Sequence, residues 1–347
     1  MTSYRGAITA IVTPFESHDK RMDYDGLRRL CQFQTECGIS GIVSVGTTGE
    51  SPTLTWEEHN KAFQTTFDTV GSKITVIAST GSNSTTECYE GTRHAKDMGI
   101  RDVLLVDPYY NGPSSLEIRK EYLEPVASGF PDVGVIPYII PGRSNTQLLP
   151  QDLAIASQKY PNISAVKEAT GDFENMKQIR KLCGNNFTIL SGDDDKTLLM
   201  MLDPAIKAAG VISVVSNVAP KAVQEMCQYA LKGDKRAVKI ANALKPLFEI
   251  VTVKTTENTA KGKVPFKARN PVPIKTLMGV LGMPGGQLRP PLGKLTKQAI
   301  EILIEKARVV QKDHPEVFKP LTDSFDIDVE DRLTNEKYRR GWYYETY

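Results

Sequence analysis

Lys167 ends the apolar run of ISAVKEAT, where a buried strand gives way to its loop. A lysine there either snorkels to water or points into a dry interior, and the second arrangement is rare without a task. Desolvation disfavours the ammonium, so an interior Lys167 becomes a neutral amine able to attack a carbonyl and form an imine. Other chemistry-bearing residues sit at comparable points. The segment GTTGES carries Thr47 and Thr48 in a glycine-flanked turn whose N–H groups and hydroxyls suit a carboxylate, although a turn of this composition is more often only a turn. DPYYNGPS contributes Tyr109 and Tyr110, and PYIIPGRS contributes Tyr138 and Arg143. Hydroxyls in series form a proton relay for imine and enamine steps, and the planar guanidinium fork of Arg143 matches a second carboxylate. Each tyrosine alone reads as packing, and each arginine as surface; their shared position after apolar runs is what makes a site.

Those runs are the elements that must position the chemistry. Val- and Ile-rich segments at 7–12, 41–46, 74–80, 102–107, 133–139, 163–168, 187–191 and 210–215 start 23 to 34 residues apart, the spacing of a βα unit. Continuous rather than alternating hydrophobicity marks strands buried on both faces, as in a parallel sheet. Helical spacing lies between them, for example at 25–37 and at 172–183, where Asp172 reads as the N-cap. Eight such units, with no Gly-x-Gly-x-x-Gly after the first strand, predict an α/β fold of the (β/α)8 barrel type rather than an open dinucleotide-binding sheet. In a barrel the chemistry belongs at the C-terminal strand ends, where Lys167, Thr47, Tyr138 and Arg143 fall.

Beyond the barrel segment, 1–218, a helical region is expected over 219–311, with helices at 219–232, 234–250, 271–282 and 294–311. The basic, Thr-rich stretch 252–270 reads as an exposed loop, and 312–347 as an extension. Trp342, Tyr343, Tyr344 and Tyr347 are too many aromatics for a solvated end, so the extension is expected to dock on its own barrel or on another subunit. The run Asp193–Asp195 reads as a cap for the next helix rather than as a metal site, because barrel metal ligands come from several strands. The histidines form no constellation: His18, His94 and His314 lie in polar contexts, and only His59 merits a role.

Composition removes other classes. With 43 Lys+Arg against 41 Asp+Glu, the net charge of +2 supplies no field for nucleic acid or an anionic membrane. No apolar run approaches a membrane span, and the first residues lack a signal h-region. The five cysteines are scattered and never spaced C-x-x-C, which fits a reducing, cytoplasmic setting.

The quoted segments, together with LSGDD at 190–194, GVISVVSNV at 210–218 and NPVPIK at 270–275, resemble the dihydrodipicolinate synthase / N-acetylneuraminate lyase family of pyruvate-dependent class I aldolases, from about residue 5 to about 310. The resemblance implies a (β/α)8 barrel with a C-terminal helical part, assembled as a homodimer or homotetramer. It implies that Lys167 forms the imine with pyruvate, that Tyr138 is the general acid/base, and that Thr47 and Tyr110 complete the relay, Tyr110 reaching into a neighbouring subunit. Thr48 and the Ile212 carbonyl are implied for the bound keto acid, and Arg143 for the second substrate. The implied reaction condenses pyruvate with L-aspartate-4-semialdehyde to 4-hydroxy-tetrahydrodipicolinate, toward diaminopimelate and lysine, with no metal or organic cofactor.

Two readings compete with it: a lyase or dehydratase acting on a 2-keto-3-deoxy sugar acid, and a barrel kept as a binding protein. Intact Lys167 and Tyr138 speak against the last. The chain departs from the family pattern at Tyr138-Ile139-Ile140-Pro141 and at Arg143-Ser144-Asn145, beside the residue implied for the aldehyde partner. In lysine-sensitive members the inhibitor occupies a tight-dimer interface, and the positions matching that site are Ser51, Trp56, His59, Asn83, Glu87 and Tyr109.

Overall fold

The structure, a computed structural model, describes residues 4–16 and 19–347; His18 lies outside them. Eight parallel strands close into a barrel in sequence order: β1 Gly6–Ala10, β2 Gly41–Ser44, β3 Thr75–Ser79, β4 Asp102–Val106, β5 Gly134–Ile139, β6 Ala165–Glu168, β7 Thr188–Ser191 and β8 Gly210–Ser213, with β8 pairing back on β1. Each predicted strand is present, and several end a residue or two earlier because the chain bends into the loops that carry the site. The predicted (β/α)8 barrel is therefore the observed fold. No helix among the described residues is long and apolar enough to cross a membrane.

Strand alternation sorts side chains into two cores. Ile8, Ala10, Val43, Ile77, Leu104, Ile136, Tyr138, Ala165, Leu190 and Ile212 fill the barrel interior. Val135, Ile139, Val166, Ile189 and Val211 point outward into the layer under the helices. The same period sets the register of the chemistry: Tyr138 lies directly opposite Lys167 across the β5–β6 pair.

After β8 come helices Pro220–Leu231, Arg236–Glu249, Val272–Leu281 and Lys297–Asp313. The stretch 252–270 is not a loop. It forms an antiparallel hairpin of β9 Thr252–Thr259 and β10 Gly262–Arg269, with Val253 and Ala268 buried at its base. Its β-branched residues and one half-buried face favour strands, a preference that the interspersed lysines obscured. The base of the hairpin turns into the Asn270–Pro271 peptide, which leads directly into the helix Val272–Leu281.

The extension packs on its own chain. Phe318, Leu321 and Leu333 are fully buried, and β12 Tyr343–Tyr344 pairs in parallel with β11 Leu295–Thr296. Trp342 lies against the backbone of Gly279, where an added Cβ would stand 1.8 Å from the indole, so only glycine fits there.

One buried ion pair ties the helical region to the barrel. The Lys275 ammonium donates to Glu50 at 2.6 Å and to the Thr13 carbonyl at 2.9 Å, both side chains are fully buried, and the Arg289 amide satisfies the second Glu50 oxygen at 3.0 Å. Breaking such a pair from one side strands a charge. Lys275→Met is therefore expected to cost about 3 to 5 kcal/mol in urea denaturation. The double variant Lys275→Met/Glu50→Leu should recover much of that loss, because it removes both charges.

Candidate active site

Lys167 is the inward residue at the end of β6, only 6% exposed, and its Nζ stands 4.1 Å from the centroid of the Tyr138 ring. Gly192, after β7, crowds its stem: a Cβ there would come within 3.2 Å of Lys167 Cε. Burial brings the ammonium down to about 8, with the charges of Asp193 and Asp194 pulling the other way. The same burial pushes the Tyr138 phenol up to about 12, opposed by the Arg143 charge and the Thr47 side chain. At neutral pH the pair is thus a readily deprotonated amine beside a protonated phenol, the combination a carbonyl condensation needs.

Above them opens a cavity of about 240 Å³ lined by Gly46, Thr47, Ser51, Ser79, Tyr109, Tyr138, Ile140 and Arg143, among others. Thr47, Tyr138 and Arg143 therefore converge on one mouth, as expected. Thr48 is buried behind it and its hydroxyl accepts from Asn270 at 3.0 Å. Ile212, on β8, packs in the interior cluster beside Tyr138. Tyr110 does not line the mouth. It is 90% exposed, at φ +76°, and the Asn111 amide donates back to the Tyr109 carbonyl at 3.0 Å, so a tight three-residue turn throws the ring outward.

The GTTGES loop is held in a strained but fully tied conformation. Val45 and Glu50 both have positive φ, near +56° and +58°, and Gly49 has no room for a Cβ, which would sit 2.9 Å from Val45 Cα. The Glu50–Lys275 pair anchors this loop, while the Thr13 hydroxyl donates to the Gly49 carbonyl at 2.7 Å.

The Asp193–Asp195 run does not cap the following helix, which has no side-chain cap. Instead Asp194 turns inward and accepts from the Ser213 hydroxyl and from the Val214 and Val215 amides, fixing the end of β8 beside the mouth. The free amides just past a strand end recruit it more strongly than the exposed helix start. Among the described residues, no group of histidine, cysteine and carboxylate side chains is placed to hold a metal.

The second set of expected residues also gathers. His59 stacks on Trp56 at a centroid distance of 4.6 Å, and its Nε2 meets the Ser51 carbonyl at 3.0 Å, leaving a buried Nδ1 without a partner. Glu87 accepts from the Ser82 hydroxyl at 2.6 Å, and its charge reaches both His59 and Tyr109. Asn83 lies on the loop before Glu87, exposed.

Two further residues brace the mouth. Asn270 links the site's loops: its amide side chain meets Thr48, and its carbonyl accepts from Arg143 at 2.8 Å. Arg269 donates to the Gly142 carbonyl at 2.9 Å. Asn270 was legible as the start of NPVPIK, whereas Arg269 sat inside the supposed loop with no local signal.

This geometry has counterparts. The sequence model of the Dihydrodipicolinate synthetase family matches residues 3–308. The chain is 39% identical over 302 residues to the 4-hydroxy-tetrahydrodipicolinate synthase of Methanocaldococcus jannaschii, covering 86% of this chain and 96% of that protein. Among solved structures, the 4-hydroxy-tetrahydrodipicolinate synthase of Methylacidiphilum fumariolicum SolV superposes with a TM-score of 0.82 at 34% identity, over 92% of this chain and 99% of that one. The synthase of Cyanidioschyzon merolae with lysine bound gives 0.80 at 33% identity, over 88% and 98%. A buried lysine and tyrosine at one end of an eight-stranded barrel, and a sequence match that runs through every barrel strand, place this chain in the dihydrodipicolinate synthetase family.

Proposed function

We propose that this chain is a Schiff-base-forming lyase that condenses pyruvate with L-aspartate-4-semialdehyde to 4-hydroxy-tetrahydrodipicolinate, in the route to diaminopimelate and lysine. The observation that carries the reading is the desolvated Lys167 amine held 4.1 Å from the Tyr138 ring, in a chain whose relatives bear the synthase name. The Lys167 amine attacks the keto carbon of pyruvate, and the carbinolamine loses water to an imine as Tyr138 protonates the departing oxygen. The imine then loses a C3 proton to give an enamine, whose carbon adds to the aldehyde. Thr47 passes protons between Tyr138 and bulk, with Tyr110 of a second copy as the outer member. Thr48 and the Ile212 carbonyl hold the keto acid, and Arg143 takes the carboxylate of the aldehyde.

Self-association belongs to the same reading, as homodimer or homotetramer. The exposed Tyr110 ring on a strained turn supports it, since an aromatic held outward at a conformational cost is suited to a neighbour's surface. A cytoplasmic setting is supported by five free cysteines. The competing assignment, cleavage or dehydration of a 2-keto-3-deoxy sugar acid, uses the same Lys167 imine, and the synthase names of the relatives do not favour it. We further propose that L-lysine binds at Ser51, Trp56, His59, Asn83, Glu87 and Tyr109. The charge of Glu87 acts on the His59 imidazole, whose buried Nδ1 has no partner and whose ring meets Trp56, a set suited to an amino acid.

Borohydride with pyruvate should add a stable mass to the Lys167 peptide, and Lys167→Ala should abolish it. The trapping rate should climb as pH rises through about 8, where the Lys167 amine loses its proton, and level off above; a midpoint near the ordinary lysine value would contradict the desolvated amine. Arg143→Ala should still trap pyruvate while kcat/KM for the aldehyde falls by the equivalent of about 2 to 5 kcal/mol; equal losses for both substrates would mark a structural arginine. Millimolar L-lysine should slow the steady-state reaction, and Glu87→Ala should relieve that inhibition.

A further inference from the structure

Two guanidinium groups meet at the mouth of the barrel from different parts of the chain. Arg143 sits in the short turn after β5, and Arg269 is the last residue of the hairpin strand β10. They cross-brace the seam: Arg143 donates to the Asn270 carbonyl at 2.8 Å, and Arg269 donates to the Gly142 carbonyl at 2.9 Å. The two positive charges act unfavourably on one another, and both reach the Tyr138 phenol. Among the described residues neither arginine forms an ion pair, and the nearest influencing carboxylate, Asp193, is 3.9 Å from Lys196. Five N–H donors per guanidinium exceed what one carbonyl satisfies. Arg143 lines the cavity and Arg269 is held on the carbonyl of the adjacent Gly142, a like-charged pair that an anion would complete.

We propose that Arg269 is a specificity-determining residue that shares with Arg143 the carboxylate of the aldehyde substrate, delivered to the mouth by the β9–β10 hairpin. This rests on the condensation proposed above. With the keto acid on Lys167, the arginines are left for the second anion. Arg143 lines the cavity, whereas Arg269 is not among the lining residues. Arg269 therefore stands farther from the nucleophile, at the outer edge of the same anion site. The hairpin has a task under this assignment: its antiparallel pairing fixes the register of Arg269 against Thr252, and the Asn270 amide donates to the Val251 carbonyl at 2.9 Å to close its base.

The test compares the full-length wild type with Arg269→Gln and Arg269→Lys. In steady state, Arg269→Gln should raise KM for aspartate semialdehyde about tenfold while KM for pyruvate and borohydride trapping hold. Arg269→Lys should restore part of the loss, since it returns the charge without the fork. Succinate serves as a non-reacting carboxylate probe, titrated calorimetrically into enzyme already locked by pyruvate and borohydride. It should bind the wild type and bind Arg269→Gln about tenfold more weakly. Absence of succinate binding in the wild type, equal binding in the variant, or a parallel loss of pyruvate trapping overturns the assignment. Should the wild type bind succinate yet fail to condense aspartate semialdehyde, the substrate proposed above falls, and the succinate ratio alone decides the role of Arg269.

Discussion

Everything at the mouth of this barrel depends on keeping the Lys167 amine out of water without giving it an ion-pair partner. A carboxylate within bonding distance would favour the ammonium, and a lysine that reached solvent would keep its ordinary basicity. The barrel avoids both. Alternation along β6 turns Lys167 inward, the Tyr138 ring covers it on one side, and Gly192 brings backbone against its stem on another. Asp193 and Asp194 are near enough to be felt, yet Asp194 is occupied by Ser213 and by the amides after β8. One of the two carboxylates that act on Lys167 thus serves Ser213 and the backbone instead.

The C-terminal region is part of the same device. Lys275 reaches from the helix Val272–Leu281 to Glu50 and to the Thr13 carbonyl, and so binds the β2 loop to the helical region through groups with no access to water. A buried pair of this kind adds little net stability against apolar replacements, but it accepts only one register. That register sets Thr47 at the cavity and Thr48 against Asn270. Among the described residues two lysines are deeply buried, Lys167 and Lys275, and the difference in their partners separates their roles. One has a carboxylate at 2.6 Å and holds loops together; the other forms no ion pair and lies against the Tyr138 ring, as the proposed nucleophile requires.

The hairpin and the extension add surface rather than a new core. The hairpin rests one edge on the helical region, where Glu257 accepts from the Thr296 hydroxyl at 2.7 Å, and ends at the two residues that brace the mouth. The extension returns to the same region through β12 and through Trp342 over Gly279. Both additions therefore bear on the helices that hold the site's loops, so the parts farthest in sequence from the strands are close to the chemistry in space.

Periodicity and residue type alone determined the barrel, the strand that carries Lys167, and the helices beyond residue 219, because burial on both faces and the βα spacing are local properties of the chain. The same local signals singled out Lys167, Thr47, Tyr138 and Arg143 as candidates, each at the end of an apolar run, and Asp172 as a cap that the structure retains on the amides of Glu174 and Asn175. Tertiary structure decided what depends on residues far apart in the chain. Composition hid the hairpin at 252–270, since scattered lysines masked a face that becomes half-buried only when helices lie beside it. Asp194 reads as a helix cap until β8 presents three partners 19 to 21 positions away. Arg269 has no sequence signal at all: it reaches Gly142 across 127 residues, and only closure of the chain brings two guanidiniums to one mouth. Local patterns are set by desolvation of each segment's own side chains, whereas a site is set by which desolvated groups the closed chain leaves facing one another.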